Sequence, residues 1–245
     1  MLADVIAAKA RRASAAPVAV GWRREVDVDG TRYGVYDYAC GDGTSLRIDE
    51  SYSSTGTRVW DMSVAMARLL ERHAGDASGD ALRVGPRGTR VLELGAGSGL
   101  LGMALAKVGA DVTMTEIREV VPHLQGVVDA NRGALGGAAI TVRALDWRES
   151  PVADEFKGFP VVVASDVLIC DQWAGDLAKV LVAVAASARL VLVGTARRRD
   201  GIPRFLDAVA GAFDVDEVPG SDFDPAFAHA DLQVFRLRAR GSIVD

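Results

Sequence analysis

Apolar and polar residues follow two different rhythms along the chain, and the change between them falls near residue 89. Before it, residues 18–38 alternate on both sides of Asp29-Gly30, the pattern of a hairpin with a tight turn. Val26 and Val28 share one face of the first strand. In the second strand Tyr33 and Val35 share one face and Tyr36 and Tyr38 the other, which predicts partial cover on both sides. Residues 1–16 read as a short Ala-rich helix stopped by Pro17. Residues 41–56 form a polar, Gly/Ser-rich link with a short strand at 45–48. Residues 59–73 place Val64, Met66, Leu69 and Leu70 at helical spacing, with Trp60 at the start, and residues 75–88 read as a loop.

From residue 89 onward strands and helices alternate. Strands are predicted at 89–94, 111–116, 138–145, 160–165 and 189–195, and helices at 99–109, up to Asn131, at 171–186 and at 202–213. The run Val161-Val162-Val163-Ala164 is apolar throughout, as in a strand covered on both faces. Two more strands follow at 213–218 and 232–238, with no crossover helix between them, so the last is expected to run antiparallel. The pattern predicts an α/β fold: a Rossmann-like, doubly wound sheet of seven mostly parallel strands with helices on both faces. Residues 1–75 would supply an N-terminal helix, a hairpin and the first core helix; residues 76–245 would form the cofactor-binding part, the two making one compact unit.

Candidate chemistry concentrates where the first of these strands ends. Gly95, Gly97 and Gly99 occupy alternate positions between the strand and an apolar helix. Glycine there permits positive φ and close approach of a ligand, and the helix start behind it offers free N–H groups. Dinucleotides and S-adenosylmethionine are both bound by such turns. Gly97-x-Gly99-x-x-Gly102 spells the dinucleotide fingerprint, but the first glycine after the strand is Gly95, which would require the third at Leu100. Glu93 lies inside the strand, where a charge needs a partner. Enzymes that use S-adenosylmethionine carry such an acid facing the cationic end of the cofactor, so this cofactor is favoured over NAD.

In an open α/β sheet the ligand crevice lies beyond the C-terminal strand ends. The next strand ends in Glu116, 21 residues after Gly95, where an acid can accept both ribose hydroxyls. The third ends in Asp146-Trp147: the acid can take an adenine amino group and the indole can cover the ring. The fourth ends in Ser165-Asp166, a carboxylate emerging from an apolar run. Arg197-Arg198-Arg199 follows the fifth strand; it reads as a solvated loop or as a surface for an acidic substrate.

The ordered set of motifs between about residues 54 and 199 resembles the seven-strand protein lysine methyltransferases of the nicotinamide N-methyltransferase-like, or methyltransferase-like 21, group. Gly56-Thr57-Arg58-Val59-Trp60 resembles their Gly-x-x-x-Trp segment. Leu92-Glu93-Leu94-Gly95-Ala96-Gly97-Ser98-Gly99 is close to their glycine motif, and Thr115-Glu116-Ile117 is similar to their Thr-Asp-Leu. Asn131 stands where their helix ends in Asn, Leu145-Asp146-Trp147 resembles Leu-x-Trp, and Ser165-Asp166-Val167-Leu168 resembles the start of Asp-x-x-Tyr. The resemblance implies cofactor contacts at Trp60, Gly95, Ala96, Gly97, Glu116, Trp147 and Ser165, with Asp166 holding the acceptor amine. It also implies a protein lysine as substrate. The chain departs from the pattern at Ile169, where the group has Tyr or Phe; Trp173 and Tyr52 are candidate replacements.

Composition narrows the partners. A net charge of −5 over 245 residues leaves no large basic face, so no nucleic acid is expected. No apolar run reaches membrane-spanning length. Two cysteines, Cys40 and Cys170, make no disulfide framework, which points to a reducing compartment, the cytoplasm or the nucleus. Lys9, Arg11 and Arg12 against Asp4 would also suit a transit peptide, but the Ala-rich helix is the preferred reading. His73, His123 and His229 lack ligand spacing, so no metal is expected. Oligomeric state stays open, a monomer being compatible with the sequence. A small-molecule N- or O-methyltransferase, a cofactor-binding interaction protein without catalysis and an NAD oxidoreductase are the alternatives.

Overall fold

The computed structural model describes residues 21–28, 31–51, 55–74, 81–227 and 231–241. The helix expected at 1–16, the turn at Asp29-Gly30, and Tyr52 lie outside the described residues, as do the side chains of Val26, Val28 and Tyr33.

Strands β1 (Gly21–Val28), β2 (Thr31–Ala39) and β3 (Ser45–Glu50) form an antiparallel meander in chain order. Val28 pairs with Thr31 at one end of the antiparallel β1–β2 register. Along β3, Leu46, Ile48 and Glu50 are buried and the residues between them exposed. Leu46 sits opposite Tyr38 and Ile48 opposite Tyr36, so one face of the meander is apolar and packs on the main core. Val35, on the other face of β2, is buried as well, in line with the cover expected on both sides. Helix α1 (Asp61–Arg72) follows, and Val64, Met66, Leu69 and Leu70 are all buried.

The second sheet holds seven strands: β4 (Arg90–Leu94), β5 (Asp111–Glu116), β6 (Ile140–Ala144), β7 (Val161–Ser165), β8 (Leu190–Ala196), β9 (Phe213–Glu217) and β10 (Leu232–Ala239). Their order is β6-β5-β4-β7-β8-β10-β9. The first five run parallel, and β10 is antiparallel to both of its neighbours. Between the strands lie α2 (Leu100–Lys107), α3 (Val121–Ala130), the single turn α4 (Arg132–Leu135), α5 (Asp171–Val184) and α6 (Gly201–Val209). The helix expected to reach residue 213 ends at Val209, because Phe213 already pairs with Ala239.

Strand parity divides the core in two. Val91, Val161, Val163, Leu190 and Leu192 point to the side of α1, α2, α3 and the meander. Leu92, Leu94, Val162, Ala164, Val191 and Val193 point to α5 and α6. Burial on both faces explains the uninterrupted apolar runs in β7 and β8. The chain moves outward from β4 through β5 to β6, then returns to place β7 on the other side of β4. That reversal leaves a crevice beyond the ends of β4 and β7.

Candidate functional site

A cleft of about 280 Å³ opens at this reversal, lined from the C-terminal ends of β4, β5, β6 and β7 and from the segment leading into α1. The turn after β4 forms its floor. Gly95 has φ +69°, and a β-carbon there would fall 2.9 Å from Val167 Cγ1 and 3.0 Å from Trp147 Cζ2. Gly97 has φ +57°, and its β-carbon would lie 3.1 Å from the carbonyl oxygen of Gly56. Side chains at these two positions would be strained and would collide with the walls of the cleft.

Glu116, at the end of β5, lines the cleft beside Gly56. Its carboxylate accepts the backbone N–H of Ile117 at 2.6 Å and that of Gly97. Burial raises its pKa, and the two N–H donors oppose that rise. Trp147 and Asp146 line the same space. Asp146 accepts Arg148 Nε at 2.8 and 3.1 Å, and this pairing lowers its pKa to about 2.

Asp166 follows β7 and is the one non-glycine residue with positive φ among the described residues, at φ 55°. Asp tolerates this left-handed conformation better than most residues. The backbone is held there by Asp166 N donating to Gly194 O at 2.7 Å. Both carboxylate oxygens are engaged: Arg199 Nε donates to Oδ1 at 2.9 Å and Nη2 to Oδ2 at 2.7 Å. The Arg199 guanidinium carbon also stands 5.4 Å from the ring centroid of Trp60. Asp166, Trp60 and Ser165 all line the cleft.

Three of the predicted site residues lie off it. Glu93 shares Val91's face of the sheet, so its side chain runs beneath α2 to the Gly102 N–H and Met114, not toward the cleft. It is 1% exposed, one of its carboxylate oxygens has no hydrogen-bond partner, and burial lifts its pKa to about 8. The expectation that it faces a cofactor cation is corrected by strand parity. Ala96 contributes backbone, its N–H donating to Thr115 O at 2.9 Å, and its side chain packs on the core. Gly99 caps α2 against Leu124 and Met114.

The lysine methyltransferase family model matches residues 41–212, most of the chain. The chain belongs to the lysine methyltransferase family. This methyltransferase is 26% identical to the protein N-lysine methyltransferase METTL21A of Mus musculus, over 82% of this chain and 86% of that one. The Danio rerio METTL21A is 27% identical over 71% and 76% of the two chains. A calmodulin-lysine N-methyltransferase of Arabidopsis thaliana is 27% identical over 50% of this chain and 42% of its own. Among solved structures, the glycopeptide N-methyltransferase MtfA superposes with a TM-score of 0.50 at 19% identity, covering 64% of this chain and 86% of that one, which shows the shared fold. The cofactor of the family is S-adenosylmethionine.

Sequence reasoning missed two parts of the methyltransferase site. In the sequence Arg197-Arg198-Arg199 reads as a solvated loop or a surface for an acidic substrate; in the structure Arg197 pairs with Glu217 and Gln233, Arg198 is exposed, and Arg199 turns inward to Asp166. Glu50 is buried at the end of β3 and accepts the Val59 N–H at 2.8 Å, which fixes the segment that carries Trp60. An acid at the inward-facing end of an alternating strand was the available signal.

Proposed function

We propose that this methyltransferase transfers a methyl group from S-adenosylmethionine to the side-chain amine of a lysine in a protein substrate. One observation carries the reading: Glu116, Trp147 and Asp166 arrive from three different strand ends and line a single cleft over the glycine turn. When bound, the cofactor supplies a methyl group activated by a sulfonium. The residues present fit it. Glu116 offers a carboxylate to a ribose diol, and Trp147 offers an indole face to a purine. Asp146 lines the cleft, retains acceptor capacity beside its arginine and would take the purine's amino group. Positive φ at Gly95 and Gly97 removes side chains from the floor, so ligand atoms come close to backbone. Trp60 and Ser165 bound the end of the cleft at which Asp166 sits.

Asp166 orients the acceptor nitrogen and accepts its hydrogen bond. Free lysine has a pKa of about 10.4, so the amine must give up a proton to solvent before its lone pair can attack. Positioning the nitrogen in line with the reacting methyl then supplies most of the protein's contribution to rate. The test is incubation with radiolabelled methyl donor and a cell lysate, followed by acid hydrolysis. One labelled protein carrying methyl-lysine is the expected result. Label confined to small molecules would replace this reading with a small-molecule N- or O-methyltransferase, which Ile169 in place of an aromatic wall also suits.

A further inference from the structure

Two groups at the end of the cleft that would attract a lysine ammonium, the Asp166 carboxylate and the Trp60 indole face, are both engaged by one guanidinium. Asp166 gives each oxygen to Arg199, and the two side chains are only 6% and 18% exposed. The same guanidinium lies over Trp60 within cation–π range. Arg58 adds a second cation 5.8 Å from that ring centroid. Ile169, on the same cleft, offers no π face; Trp173, the candidate replacement, also lines the cleft and is 41% exposed. The other charges around this space are Glu116, Asp146 with its partner Arg148, and Asp176 with its partner Lys179. Asp61 follows Trp60, and Arg198 and Asp200 flank Arg199, all three exposed.

We infer that Arg199 is the specificity-determining residue of the acceptor seat: it fills the cation position between Asp166 and Trp60, so the seat admits an amine that arrives uncharged and disfavours an ammonium. The inference rests on the assignment of Asp166 to the methyl acceptor. A carboxylate already matched by a bidentate guanidinium gains little from a second cation, and that cation meets the repulsion of the first at close range. A neutral amine meets neither obstacle, and it alone carries the free lone pair that methyl transfer consumes.

The experiment uses the full chain at pH 7 and two probes of similar shape. One is n-butylammonium chloride; the other is 2,2,2-trifluoroethylamine, whose fluorines keep it neutral at that pH. Binding is followed by tryptophan fluorescence and by fluorine NMR. The wild-type chain is expected to bind the neutral amine in preference to the ammonium. Arg199→Gln should bind n-butylammonium about tenfold more tightly than wild type, Arg199→Lys should not, and Asp166→Asn added to Arg199→Gln should cancel the gain. Wild type that prefers the ammonium, or an Arg199→Gln gain that is absent or survives in the double variant, overturns the inference. If Arg199→Gln melts early, the wild-type preference alone decides. Radiolabel transfer by wild type is run in parallel: its loss defeats the methyl-transfer reading, whereas intact transfer with the wrong probe preference defeats only this one.

Discussion

The side chain of Asn131 treats the backbone of Arg47 as a neighbouring strand would. Its Oδ1 accepts the Arg47 N–H at 2.8 Å and its Nδ2 donates to the Arg47 carbonyl at 2.7 Å. Nδ2 also donates to Val127 O at 2.8 Å, so one amide, 3% exposed, closes the end of α3 and docks the edge strand β3. Asn131→Ala leaves these backbone groups without partners. It should cost about 1–3 kcal/mol, measured by urea unfolding. Asn131→Asp should not rescue, because a carboxylate cannot donate to the two carbonyls.

Asp166 combines an unusual backbone with the carboxylate proposed to hold the acceptor, and the two can be separated. Asp166→Asn keeps a residue that tolerates positive φ and removes the charge. It should lower stability by about 1–3 kcal/mol, because the largely buried Arg199 loses its charged partner, retain cofactor-product binding by calorimetry, and lose methyl transfer at least a hundredfold. Asp166→Ala should lose transfer to the same extent and be less stable again, by about 1 kcal/mol of backbone strain. Turnover preserved in both would remove Asp166 from the chemistry.

Glu93 makes stability depend on pH. Its ordinary pKa is 4.5 and burial lifts it to about 8 in the folded chain. Between these values the native state holds a proton that the unfolded state has released, so stability falls as pH rises through the window. The slope approaches 1.4 kcal/mol per pH unit at most. Urea unfolding from pH 5 to pH 8.5 should show the decline for wild type, and Glu93→Gln should flatten it. An unchanged slope in the variant would place the titration elsewhere.

Gly97 meets the main chain of Gly56 across the floor of the cleft. A β-carbon there would press on the Gly56 carbonyl and force a left-handed backbone on an L-residue. Gly97→Ala should cost stability through its left-handed backbone and, by pushing the Gly56 carbonyl out of place, weaken cofactor-product binding by about tenfold. Isothermal titration of the purified chain measures it. Gly136, also at positive φ but with open space around it, serves as the control: Gly136→Ala should cost some stability and leave binding unchanged.

The main sheet was legible because its strands are covered on both faces and read as apolar runs; residues 161–164 give β7 at once. The reversed last strand was legible from the missing crossover helix. The direction of Glu93 was not. Val91 and Leu92 are both apolar, so alternation gives no sign for which face of β4 a polar residue takes, and only the helices of the finished sheet decide it. The Asp166–Arg199 pair was hidden for another reason. Its members stand 33 residues apart on consecutive strand ends, and an arginine in a run of three looks the same whether it faces water or a carboxylate. Trp60 was legible as a helix start, but its guanidinium neighbours depend on tertiary approach.

The meeting of Gly56 with Gly97 makes the pocket a product of two distant stretches pressed main chain to main chain. A chimera that grafts residues 90–102 onto another sheet would therefore carry half a receptacle, and recovering the other half would mean bringing residues 50–60 along, with the buried acid of Glu50 that sets their path.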